Sequence, residues 1–324
     1  MNIERGMSGE VVRKVQQRLA ALGLYTSPID SSFGGGTESA VKQFQKRQDL
    51  APTGRVDTKT WTLLLPDDPA PTSPFLSSPM ILRCLALTGS FETGSLQPDC
   101  FCGLVGDFDR QGISFGVLQW NLGQGSLQPL LQDAFEKHPD VCQSIFHEHF
   151  ETVKSLGQAP RSEQLEFARS IQNHRGQLNE PWRGMLKTLG RTSEFQTIQV
   201  DHASPIFQKA VQMCSEYGLR SERAVALMFD IITQNGGIGS VVKAQIQSDF
   251  SAIVGLNHND SEVAKMRSVA NRRAAASKLE YVDDVRTRKL TIAEGMGVVH
   301  GINYDLEATY SITLNDFLNL PHQS

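Results

Sequence analysis

The sequence predicts a mainly α-helical protein: a small three-helix module followed by a larger helical domain with a small β-hairpin. Three observations carry this. Two related amphipathic blocks stand near the N-terminus, a proline-dense stretch follows them, and apolar runs at helical spacing fill much of the remainder.

The bulk properties bound the function. A chain of 324 residues has room for two domains at roughly 100–200 residues each. Its 40% hydrophobic and 20% charged content fits a folded protein rather than a disordered one. The formal charge of −4, from 31 basic and 35 acidic residues, gives no basic field of the kind that gathers nucleic acid. Five cysteines are an odd count without a regular framework, so they read as reduced core residues. The first residues, MNIERGMSGEVVRKVQQ, carry charges where a signal peptide needs its apolar stretch, and no segment is apolar enough to span a membrane. The expectation is a monomer made in the cytoplasm that reaches a substrate outside the membrane only through release or another secretion system. No metal or cofactor is expected.

In the first block Val12, Val15, Leu19 and Leu22 recur at helical spacing, and in the second Val41 and Phe44 do so. Between them, residues 25–37 supply turn chemistry, with Thr37 expected to cap the second helix. A third helix, capped near Asp57 or Thr58, carries Trp61 and Leu64. Pro66 to Pro74 holds four prolines in nine residues and reads as an extended linker. The expected boundaries are therefore a module at 1–66, a linker at 67–78 and a second domain at 79–324.

The strings V-x-x-V-Q-x-x-L-x-x-L-G-x-Y, I-D-x-x-F-G-x-x-T-x-x-A-V-x-x-F-Q and T-G-x-V-D-x-x-T-W, spread over about residues 5–65, resemble the peptidoglycan-binding domain found at the ends of many cell-wall hydrolases. Ser31 and Ser32 stand where that family usually has a glycine after the aspartate. The resemblance implies a wall-binding role, with Asp30, Gln45 and Trp61 as candidate contacts. The plainer alternative is a structural or oligomerisation module.

Beyond the linker, Pro79 to Phe91 reads as a helix so apolar that it should be buried on most sides, delivering Glu92 at its C-terminal end. Burial and the negative end of the helix dipole both raise a carboxyl pKa, as a general acid requires. A lone carboxylate at a helix end is more often a solvated surface group, so Glu92 needs a partner. Residues 106–121 begin as a turn and continue as alternating strand residues, which places Asp107 and Asp109 on a loop entering a short hairpin. Glycoside hydrolysis generally uses two carboxyl groups flanking the bond, and Glu92 with Asp109 is the best pair. Farther on, the stretch from Phe207 to Gly237 reads as helical, with one isolated acid, Asp230, in an apolar run and Gln234 four residues later on the same face. A core aspartate is costly unless paired.

The combination of E-T-G with D-x-Q-G-I-S-F-G-V-L-Q-W-N resembles the lysozyme superfamily, and within it the family 46 chitosanases. That resemblance implies a two-lobed helical domain with a cleft, Glu92 as acid, Asp109 as base and Ser114 as the hydroxyl that holds the attacking water. Gln111 replaces the family's arginine. It further implies that two C-terminal arginines tie Asp230 to the catalytic Glu; Arg272 or Arg273 and Arg286 or Arg288 are open, with Arg273 and Arg286 carried forward. Candidate substrate contacts are Asp107, Gln119, Trp120, Asn121, Gln234 and Asn235.

His147-Glu-His149 lacks metal-ligand spacing on a helical face and reads as a solvated surface; Cys100-Phe-Cys102 reads as packing. The function expected is hydrolysis of β-1,4 bonds in peptidoglycan strands, as a muramidase or endolysin performs it. Hydrolysis of chitosan, and a non-catalytic wall-binding protein on the same scaffold, are the rivals.

Overall fold

The computed structural model describes residues 3–73, 75–95, 99–107 and 111–317. It is mainly helical, and it divides into two compact units, Met1–Ser78 with Asp305–Ser311 and Pro79–Tyr304 with Ile312–Ser324. None of the described helices is long and apolar enough to cross a membrane.

The first unit contains α1 (Glu10–Ala21), α2 (Gly35–Arg47) and α3 (Thr58–Leu64). Val12, Val15, Leu19, Val41, Phe44, Trp61 and Leu64 are buried in one core, so the spacing read from the sequence gives the packed faces. Asp57 caps α3 by accepting from Thr60 N at 2.7 Å. Thr37 does not cap α2: the helix starts at Gly35, and the Thr37 hydroxyl accepts a hydrogen bond from buried Gln16 at 3.1 Å. Nor does the proline-dense stretch stand free of the module. Trp61 Nε1 donates to Asp68 O at 2.9 Å, Lys14 pairs with Asp68 at 3.0 Å, and Ser73 Oγ donates to Thr309 O at 2.7 Å. Residues 305–311, expected in the second domain, also belong to this unit.

The α1 and α2 cores repeat a pattern, V-x-x-V-Q at 12–16 and V-x-x-F-Q at 41–45, and the two glutamines do the same work. Gln16, fully buried, donates to Asp30 Oδ1, Ser32 O and Thr37 Oγ1 and accepts from Ser31 N. Gln45, buried likewise, donates to Arg55 O, Thr53 Oγ1 and Thr60 Oγ1 and accepts from Gly54 N. Each amide stands in for a backbone group and pins the loop that follows its helix. At the departure from the family pattern, Ser31 adopts φ +61°. The left-handed turn that a glycine takes without steric cost is thus kept by a serine.

In the second unit, α4 (Met80–Thr93) leads into a three-stranded antiparallel sheet of β1 (Leu104–Val105), β2 (Ser114–Phe115) and β3 (Trp120–Asn121). Ser114 pairs with Asn121 and Phe115 with Trp120. Then follow α5 (Gln128–Lys137), α6 (Pro139–Phe146), α7 (Phe150–Leu156), α8 (Arg161–Ser170), α9 (Trp182–Arg191), α10 (Ser193–Glu216), α11 (Glu222–Asn235), α12 (Ser240–Ser251), α13 (His258–Ala275) and α14 (Val282–Glu294). The expected helical stretch 207–237 is two helices: the chain breaks at Gly218, and Ser221 caps α11 by accepting from Ala224 N at 3.1 Å. A second sheet, β4 (Met296–Val299) with β5 (Ile302–Asp305), was not expected. Its turn is His300-Gly301, both at positive φ, the two-residue form that matches strand twist. All five cysteines are free and buried, as their count suggested.

Candidate active site

Glu92 lies in the last turn of α4, just before Gly94, whose φ of +68° ends the helix. Its side chain is 41% exposed, so the expected burial of this carboxyl does not hold; the apolar face of α4 buries Phe91 and leaves Glu92 outward. Arg288 NH1 donates to Glu92 Oε1 at 2.5 Å, while Oε2 has no hydrogen-bond partner among the described residues. The carboxyl is thus held by one oxygen and open at the other.

Arg288 is held from behind. Its side chain is 2% exposed, its NH2 donates to Asp230 Oδ1 at 2.6 Å and its Nε lies 3.0 and 3.1 Å from the two Asp230 oxygens. Its guanidinium carbon stands 4.8 Å over the Phe91 ring, a cation–π contact that fixes the plane of the group. Asp230, fully buried, also receives Lys289 Nζ, and Thr88 Oγ1 at 3.2 Å. Lys289 Nζ donates to Gln234 Oε1 at 2.6 Å, so the i, i+4 pair Asp230 and Gln234 grips one ammonium. Asp230 and Glu92 balance Arg288 and Lys289, and the cluster is formally neutral. That balance is what makes three buried charges beside the half-exposed Glu92 tolerable.

Burial works against charge in both partners. Burial pushes the Asp230 carboxyl up, but Arg288 and Lys289 outweigh it and hold the group down at about 2. Burial pulls the Lys289 ammonium down, Asp230 opposes it, and the result is about 8. Both are charged at neutral pH.

The arginines differ from those carried forward. Arg288 enters the network and Arg286 does not: it pairs with Asp283 at 2.9 Å on the solvent side of α14. Arg273 reaches Asn235 O and Ser277 Oγ at 3.4 Å each, and it touches neither Asp230 nor Glu92; Arg272 pairs with Asp249 instead. Lys289 takes the place expected for the second arginine. A signal for both inward cations was present, because Val285, Arg288, Lys289 and Ile292 share the i, i+3, i+4, i+7 face of α14, and all four are buried.

Beside Glu92 lies a cavity of about 410 Å³, lined also by Thr93, Asp99, Cys102, Gly103, Gln119, Lys187 and Arg191. Of the expected substrate contacts, Gln119 is on this wall. It adopts φ +54°, its Nε2 donates to Gly116 O at 2.9 Å, and its Oε1 is buried with no partner among the described residues. A Cβ at Gly103 would meet Gln119 Nε2 at 2.6 Å, so the amide's place depends on that glycine. Gln199, which the sequence did not single out, secures this corner: fully buried, it accepts from Val117 N at 2.8 Å and donates to Phe101 O at 3.1 Å.

The remaining candidates lie elsewhere or make contacts of their own. Asp107 accepts from Gly112 N at 2.8 Å and lies 3.4 Å from Arg169 Nε. Asp109 itself lies outside the described residues. Ser114 Oγ accepts from Asn121 Nδ2 at 3.0 Å, and Asn121 Oδ1 accepts from Gln124 N at 3.0 Å. Trp120 packs half-buried on the core of the second unit. Gln234 turns inward to Lys289, and Asn235 Oδ1 is buried with no partner among the described residues. Gln111, at the departure from the chitosanase pattern, accepts from Arg161 at 3.1 Å. In the first unit, Gln45 and Trp61 are 1% and 2% exposed, too deep to touch a polymer, whereas Asp30 is exposed with Oδ1 held by Gln16 and Ser32 N.

Residues 8–64 match the family described as "Putative peptidoglycan binding domain". A spore cortex-lytic enzyme of Bacillus cereus is 41% identical to this chain over 63 residues. The match covers 19% of this chain and only 24% of that enzyme. Solved structures similar to the chain include a chitosanase complex at 17% identity and a TM-score of 0.43, over 69% of this chain and 95% of that one. A GH46 chitosanase of Gynuella sunshinyii with chitotetraose aligns at 15% identity and a TM-score of 0.44, over 71% and 98%.

Proposed function

We propose that the chain hydrolyses β-1,4-glycosidic bonds in the glycan strands of peptidoglycan, with Glu92 as general acid and Asp109 as base. One observation carries the reading most: Glu92 stands at the wall of a cavity with one carboxyl oxygen fixed by Arg288, which the buried Asp230 fixes in turn. A network that deep, ending on a half-exposed carboxyl, orients an acid more rigidly than a surface ion pair does.

In this mechanism Glu92 passes its proton to the glycosidic oxygen as the bond to the anomeric carbon breaks. Asp109 takes a proton from a water that attacks the same carbon from the opposite face, and Ser114 holds that water. Two carboxyl groups about 6.5–9.5 Å apart leave room for the water and give inversion. The free Oε2 of Glu92 is the oxygen that carries the proton. Gln119, its amide held by Gly116 O, shapes the cavity wall against which the sugar lies.

The first unit tethers the catalytic unit to the wall and raises its effective concentration on that polymer. Its binding surface is the exposed part of the segment from Asp30 to Thr37, which Gln16 shapes; Gln45 and Trp61 act by holding the fold. Incubation with purified sacculi should release new reducing ends that appear first as the inverted anomer. Release from chitosan alone would overturn the substrate, and first appearance of the retained anomer would overturn the roles given to Glu92 and Asp109.

A further inference from the structure

The cavity beside Glu92 has one charged side chain on its wall that forms no ion pair among the described residues. Four charged side chains line it among the described residues: Glu92, Asp99, Lys187 and Arg191. Glu92 is paired to Arg288, and Asp99 to Arg191 Nε at 2.7 Å. Lys187 is exposed and forms no ion pair among the described residues. It stands four residues before Arg191 on α9, on the same helical face. That helix is held close: a Cβ at Gly190 would meet Cys102 Cβ at 2.6 Å, and Cys102 is itself part of the cavity wall. The backbone that carries Lys187 is therefore packed directly against the cavity wall.

We propose that Lys187 is a specificity residue that selects an anionic glycan, meeting a carboxylate of the peptide-bearing side groups of peptidoglycan and repelling the ammonium groups of a glucosamine polymer. The inference rests on the hydrolase reading of Glu92 and adds the charge class of its substrate. A solvated cation at a binding rim changes affinity by a small factor for each opposite charge it meets, and reversing it turns attraction into repulsion, together about tenfold at low salt. The effect is screened as salt rises.

The test compares the full chain with its Lys187→Glu variant, an exposed substitution. Substrates are soluble glycan fragments with free peptide carboxylates, the same fragments with those carboxylates amidated, and a glucosamine hexamer. The variant should lose about tenfold in kcat/KM on the free-carboxylate fragments, through KM, stay within about twofold on the amidated ones, and gain on the hexamer. Equal losses on free and amidated fragments, or no change on either, would overturn the assignment. If the parent protein cleaves none of the three, the hydrolase reading fails, and calorimetric binding of the two peptide-bearing fragments decides Lys187 separately. A preference for free carboxylates that vanishes in the variant supports it; a preference unchanged in the variant, or none in the parent, overturns it.

Discussion

Replacing Asp230 by asparagine removes the charge that two buried cations share while keeping the shape and one acceptor. Arg288 retains Glu92 as a partner, but Lys289, fully buried, is left with Gln234 Oε1 and the backbone carbonyl of residue 230. Breaking a buried ionic cluster from one side costs about 3–5 kcal/mol, because the uncompensated charge stays in the core. A second route gives the same size. Lys289 can shed its proton instead, and bringing an ordinary lysine from near 10.4 to neutrality at pH 7 costs roughly 4–5 kcal/mol at about 1.4 kcal/mol per pH unit. Calorimetry should show the transition of the larger unit falling by about 6–20 °C, at roughly 2–4 °C per kcal/mol for a domain of that size, with the transition of the smaller unit unmoved. The double variant Asp230→Asn with Lys289→Met removes one charge of each sign and leaves Arg288 with Glu92, so it should recover more than half of the loss. A cost below about 1 kcal/mol for the single variant, or a double variant no better than the single, would refute the reasoning.

Three further outcomes follow from the same structure. Asp230 has a folded pKa of about 2, below the ordinary 3.8, so its contribution to stability is complete above about pH 4 and is lost as pH falls through 2. Lys289 has a folded pKa of about 8 against an ordinary 10.5, so the unfolded chain binds the extra proton between those values. The Lys289 contribution should therefore raise stability from pH 8 to 10.5, a slope that urea titrations of the Lys289→Met variant should lack. Ser31→Gly relieves a left-handed serine and should stabilise the first unit by about 1 kcal/mol, offset partly by the entropy of a freer unfolded chain; a lowered melting temperature would contradict the strain. Gln45→Ala removes three donated hydrogen bonds and one accepted from Gly54 N. It should cost about 2–4 kcal/mol, while sacculus binding measured well below the melting temperature stays within about twofold; loss of binding with full stability would make Gln45 a wall contact after all.

The parts of this protein legible in its sequence are those written as periodicity or as conspicuous cost. Val12, Val15 and Leu19 mark a helix face, and Asp230 in an apolar run announces a buried partner. What escaped was polar residues doing inward work. Gln45 sits at the edge of an apolar stripe and reads as a surface amide, but the loop it follows turns back over it and uses it as a backbone substitute. Arg288 and Lys289 were obscured by the neighbouring Arg286, though their spacing with Val285 and Ile292 distinguishes them from it. Glu92 was expected to be buried because its helix is apolar nearly throughout; the last turn of a helix escapes that rule when the next residue, here Gly94 after Thr93, turns the chain away. The β2–β3 hairpin was legible in residues 106–121, but β1, two residues long, and the β4–β5 pair were not, since such short strands carry little signal of their own.

The most direct measurement is turnover and wall binding of Glu92→Gln on purified sacculi. A general acid contributes about a hundred- to ten-thousandfold, so the account predicts a loss of that order in reducing-end release, with co-sedimentation with sacculi unchanged. Unchanged turnover in this variant would contradict it and leave a wall-binding protein on a hydrolase-like scaffold.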